Sequence, residues 1–85
     1  MPFSTNEAVL RGITSQRARI LGLVAQGLTE AEIAEVLVVR LQTVHSHIRQ
    51  LRELTGCDSM RSMGPWWINQ RPFWLEQMRR AAHGE

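Results

Sequence analysis

The sequence predicts an all-α chain of four to five helices, and three observations point there. Apolar residues recur at helical spacing over two long stretches, Ser15 to Gln26 and Val39 to Leu54. Residue types that cap helix starts (Thr14, Thr29, Asp58, Ser59) stand before periodic segments, and glycines that stop helices (Gly27, Gly56) stand after the two long ones. At 85 residues the chain makes one small domain, near the lower limit at which a single core holds without staples. Oligomerisation is one way to supplement such a core, and there is room neither for a cleft between domains nor for a sensor domain.

Residues 1 to 12 form an N-terminal arm or short helix. Ser4, Thr5 and Asn6 ahead of Glu7-Ala-Val-Leu-Arg suit a capped turn or two ended by Gly12, and equally suit a loose arm. Thr14 then caps a helix whose apolar side is Ala18, Ile20, Leu21, Leu23 and Val24, closed by Gly27. Thr29-Glu30-Ala31-Glu32 has the form of a capping box. It opens a short helix packed through Ile33, Ala34, Val36 and Leu37, and small Ala34 lets another helix cross closely.

The next helix begins near Arg40. At about 100° per residue, Leu41, Val44, Ile48, Leu51 and Thr55 share one side, while Gln42, His45, Ser46 and Arg49 share the other. The second flank is polar and carries no acid before Glu53. On residue types alone it reads either as a solvated helix face or as a surface that reads base edges between phosphates. Two short helices joined by about three residues, the second amphipathic, form a helix-turn-helix arrangement.

Composition sets further bounds. Net charge is +2, and every one of the ten basic residues is arginine. Glu30, Glu32 and Glu35 crowd one segment and Arg40, Arg49 and Arg52 the next, an asymmetry compatible with nucleic-acid contact. No apolar run approaches the roughly 18 residues of a membrane span, and no basic start followed by an apolar stretch marks a secretion signal. A lone Cys57 makes no internal disulfide and fits a reducing cytoplasm, where it reads as a small buried hydrophobe. His45 and His47 point about 200° apart on a helix and cannot share an ion, so no metal is expected. No nucleophile with a base, carboxylate pair or phosphate-cradling glycine loop is present, so neither catalysis nor a cofactor is expected.

Ile13-Thr14, Ile20-Leu21, Leu23, Ala25-Gln26-Gly27-Leu28-Thr29, Glu32-Ile33-Ala34, Leu37, Thr43-Val44, His47 and Gly56 together resemble the LuxR/GerE-type helix-turn-helix domain of bacterial transcription regulators. The resemblance runs without a gap through more than half of the chain. It implies double-stranded DNA as partner, a reading helix at residues 40–54, and a homodimer. Four departures stand out. Gln16-Arg17 replaces the family's Arg-Glu, so the box at Thr14 loses its acid. Arg40 stands in place of a capping Ser, so the helix should begin a residue later or be capped by water. His45 occupies the position of a DNA-contacting Lys and exchanges a fixed charge for a residue type that titrates near pH 6.5, so affinity should rise on mild acidification. Leu54-Thr55-Gly56 shifts the last core contact by one position.

With the resemblance, Gln42 and Arg49 are the expected base readers, because amide and guanidinium forks match adenine and guanine edges. Thr43 suits a phosphate at the helix start. His45 and Ser46 lie on the same flank, and Thr29 and Arg40 belong to the backbone-contacting set, beside which Glu30 is unfavourable. Arg52 is expected to reach a flanking phosphate or pair with a carboxylate, and His47 to pack inward with one hydrogen bond.

Domain boundaries are expected at 13–64 for the helix-turn-helix unit and 65–85 for an aromatic and basic helical extension. Asp58-Ser59 caps a fourth helix carrying Met60 and Met63; Gly64-Pro65 interrupts it or marks a new start, and Pro72 opens a final helix, Phe73 to Ala82. Four of the chain's five aromatics, Trp66, Trp67, Phe73 and Trp74, fall in nine residues, too much apolar area to leave in water. Met60, Met63, Trp66, Trp67, Phe73 and Trp74 therefore either fold back to thicken the core or form a dimer or partner interface. Two functions follow: a small cytoplasmic DNA-binding transcriptional regulator, or a protein-interaction module that binds another regulator or the transcription machinery through its Trp-rich tail.

Overall fold

A computed structural model describes residues 7–84, all-helical in order: α1 Glu7–Arg11, α2 Ser15–Ala25, α3 Glu30–Leu37, α4 Leu41–Thr55 and α5 Met60–Ala82. The proposed capping residues Ser4 to Asn6 lie outside the described residues.

The helix starts follow local chemistry. Thr14 Oγ1 accepts from the amide of Arg17 at 3.2 Å. Where an acid would close the box, the Arg17 guanidinium instead donates to the Gly12 carbonyl (2.7 Å) and to Gln50 Oε1 of α4 (3.2 Å). The departure at Gln16-Arg17 thus exchanges a local cap for a link between helices. The box at Thr29 is complete: Glu32 N donates to Thr29 Oγ1 at 3.2 Å and Thr29 N to Glu32 Oε1 at 2.8 Å. Arg40 makes no side-chain cap, yet it still stands at the N-cap of α4, which starts at Leu41 without the expected shift; its carbonyl accepts from the amides of Thr43 (3.0 Å) and Val44 (3.2 Å).

The stop of α3 is unusual. Val38 takes a left-handed conformation (φ 56°, ψ 50°), the only non-glycine residue among those described with positive φ. Val39 N then closes back on the Ala34 carbonyl at 3.0 Å, satisfying an end of the helix that glycine or asparagine ordinarily serves. Gly56 ends α4 in the conventional way at φ 77°.

The core joins Leu10, Ile13, Ile20, Leu21, Val24, Ile33, Ala34, Val44, Ile48 and Leu51 to Met63, Trp67 and Trp74. Leu41, expected on the buried side of α4, is the first residue of the helix and is 52% exposed. Leu54 packs against the core beside Gly12, and Cys57 is half-buried.

The largest correction concerns the tail. It is one helix of 23 residues, with Pro65 and Pro72 inside it, and neither Gly64-Pro65 nor Pro72 starts a new element. A proline inside a helix removes one hydrogen bond and crowds the preceding turn, at a cost of about 3 kcal/mol. Both prolines and the residues four positions earlier, Arg61 and Ile68, are exposed, so the lost hydrogen bonds fall on the outer side of the helix. Met63, Gly64, Trp67 and Trp74 lie on the opposite side, where burial outweighs the local penalty. Gly64 lets α5 cross α2 closely, since a Cβ there would lie 3.4 Å from Ala25 Cα. Trp67 and Trp74 meet edge to face at 5.6 Å, and Trp74 Nε1 donates to the buried Ile13 carbonyl at 2.8 Å.

The aromatic segment therefore folds back. Met63 (0% exposed), Trp67 (2%) and Trp74 (8%) have almost no surface for a partner, and Met60 and Trp66 are half-buried against the same core. Of the six residues singled out, Phe73 alone stays open, at 50% exposure. The expected boundary at 64/65 falls inside this helix, near its start.

Candidate nucleic-acid interface

Val44, Ile48 and Leu51 fix α4 from below, so its outward flank is set by rigid packing. Gln42, Thr43, His45, Ser46 and Arg49 are all exposed, as are Arg40 before the helix and Thr29 at the start of α3. The seven are the sequence-predicted DNA residues other than Arg52. Gln42, His45, Ser46 and Arg49 form a continuous polar strip on α4, and α5 packs chiefly against α2.

Three side chains behave differently from expectation. Glu30, expected to be unfavourable beside a DNA backbone, turns toward α4, where its Oε1 lies 3.1 Å from His45 Nδ1. Arg52 forms a bond in place of the expected carboxylate pairing: its Nη2 donates to the Asp58 carbonyl at 2.6 Å and ties the end of α4 to the turn before α5. His47 is half-buried as expected for an inward-facing group, but its buried Nδ1 has no hydrogen-bond partner among the described residues. Sequence reasoning missed Gln50, which receives Arg17 and steadies α4 on α2; thirty-three residues separate the pair and no local pattern links them.

A cleft of about 690 Å³ runs between the end of α2, the start of α3 and α5, lined among others by Leu28, Met60, Gly64, Pro65 and Ile68, with Glu30 and Arg61. Among the described residues no group of three or more His, Cys, Asp or Glu side chains is arranged to hold a metal ion, and no helix is long and apolar enough to cross a membrane.

A short helix ended by a tight turn, followed by a longer helix with one flank packed and the other polar and open, defines a helix-turn-helix DNA-binding domain. Residues 14–61 match the model of a family described as the homeodomain-like domain. The match takes in more than half of the chain, and the chain belongs to that family. No curated protein and no solved structure matches it.

Proposed function

We propose that the chain is a small sequence-specific transcriptional regulator that inserts α4 into the major groove of duplex DNA and acts as a homodimer in the manner of the LuxR/GerE regulators it resembles. The observation that carries this reading is the open polar strip of Gln42, His45, Ser46 and Arg49 on a helix whose other side is locked into the core. A helix about 10–12 Å across fits the major groove, about 12 Å wide.

Gln42 and Arg49 serve as the base readers, with Thr43 and Thr29 at helix N-termini positioned for phosphates. Arg40 contributes flanking charge, and Arg52 contributes the donors left over from its bond to Asp58. Binding to a selected duplex should weaken steeply between ~50 and 200 mM salt, as phosphate contacts release counterions. Gln42→Ala or Arg49→Ala should each cost ~1–3 kcal/mol at the cognate site and relax base preference there. Equal affinity of both variants and the wild type would reject the assignment.

A second reading, a protein-interaction module with weak DNA affinity, draws support from α5. It leaves Ile68 (64%), Phe73 (50%), Leu75 (44%) and Met78 (42%) exposed at different points around the helix, a different set from the buried tryptophans. Association through that surface would respond little to salt, which separates the two readings.

A further inference from the structure

We infer that Glu30 determines which DNA base His45 reads, by fixing Nδ1 as the protonated ring nitrogen and leaving Nε2 to face the groove. The inference rests on the proposed DNA-reading role of α4 and deepens it. Glu30 is the first residue of α3 and His45 lies in the second turn of α4, fifteen positions away; their approach to 3.1 Å is a product of the crossing of the two helices. The His45 side chain is 67% exposed and that of Glu30 28%, so the carboxylate sits beneath the imidazole while the ring projects outward.

An ionised carboxylate only accepts, so Nδ1 must carry the hydrogen of this bond. A neutral imidazole has a single N–H, which makes Nε2 an acceptor. In the major groove an acceptor complements the amino edge of cytosine or adenine and is repelled by the O6 and N7 of guanine. Protonation reverses this, because Nε2–H then donates to guanine while Nδ1–H keeps its bond to Glu30. One side chain thereby reads opposite edges at high and low pH. Glu30 acts as a positioning residue: without it the proton of neutral His45 resides on either nitrogen and the high-pH preference is lost.

The other charged groups near the pair are few. Arg49 lies one turn further along α4, Arg61 of α5 lines the same cleft as Glu30, and the Glu32 carboxylate is engaged by the amide of Thr29. Neither arginine accepts a hydrogen bond, so neither can replace Glu30 in holding the proton on Nδ1.

Two measurements on the full chain test this. Imidazole ¹⁵N shifts of the free protein at pH 8 should show His45 protonated at Nδ1 in the wild type and a mixture of tautomers in Glu30→Ala; an Nε2-protonated wild type overturns the inference. Selection from a randomised duplex pool at pH 8 and pH 5 should shift one position of the site from cytosine or adenine to guanine, each favoured about fivefold. Glu30→Ala should lose the preference at pH 8 and keep that at pH 5, whereas His45→Ala should lose both. A preference unchanged between the two pH values, or unchanged in Glu30→Ala at pH 8, overturns the inference while leaving DNA binding intact. Retention of no duplex at either pH would reject the DNA-reading role itself, and the inference with it.

Discussion

Trp74 offers the sharpest test of how the tail is held. Its indole is 8% exposed, stacks edge to face on Trp67, and donates to the Ile13 carbonyl at 2.8 Å across sixty-one positions of sequence. Trp74→Phe keeps an aromatic ring against Trp67 but removes the donor. Leaving the buried carbonyl without that donor costs about 1–3 kcal/mol. The smaller ring leaves a void of roughly 40 Å³, worth about 1 kcal/mol at ~24 cal/mol per Å³. The combined loss of about 2–4 kcal/mol is a large share of the ~4–13 kcal/mol expected for a domain of this size. Urea denaturation should show a lower midpoint with an unchanged slope, and Tm should fall by on the order of 10–20 °C. The neighbouring Phe73→Ala is the control: at 50% exposure, its truncation should cost under about 1 kcal/mol. Equal losses for the two variants, or a loss below ~0.5 kcal/mol for Trp74→Phe, would refute the docking of α5 on the loop before α2.

Other perturbations probe the remaining joints. Gly64→Ala should be neutral or stabilising by up to ~1 kcal/mol in chemical denaturation, since its Cβ meets Ala25 at ordinary contact distance while helix propensity improves; Gly64→Leu should wedge α5 from α2 and cost about 1–3 kcal/mol. Val38→Asn should raise the urea midpoint by the equivalent of about 1 kcal/mol, because asparagine tolerates the left-handed conformation that valine is forced to adopt; a loss would contradict the strain assigned there. Arg17→Met should destabilise by about 1 kcal/mol through loss of the bonds to Gly12 and Gln50, measured by thermal unfolding.

Much of the fold was legible where short-range chemistry decides. Thr14 and Thr29 cap their helices through their own hydroxyls, and Gly27 and Gly56 take positive φ, so both bounds of α2, the start of α3 and the end of α4 follow from single residues. The tail misled because Gly64, Pro65 and Pro72 carry strong local signals for interruption, whereas the outcome was set by burial across the chain. A signal was available: Trp67 and Trp74 are seven residues apart, and with Met60 and Met63 they make one helical stripe running through both prolines. The left-handed turn at Val38 had no such sign, since valine is among the residues least suited to it. At the candidate interface, the exposed strip on α4 followed from periodicity. The pairing of Glu30 with His45 did not, because it depends on the angle at which α3 crosses α4.

The central claim is that the polar flank of α4 enters duplex DNA. Backbone amide shifts of the intact chain, followed while a selected duplex is added, address it residue by residue. The largest changes are expected over Gln42–Arg49 with a second group at Thr29, and little change over Ile68–Met78. Changes concentrated on the outer side of α5 with α4 unmoved, or none at saturating duplex, would contradict it.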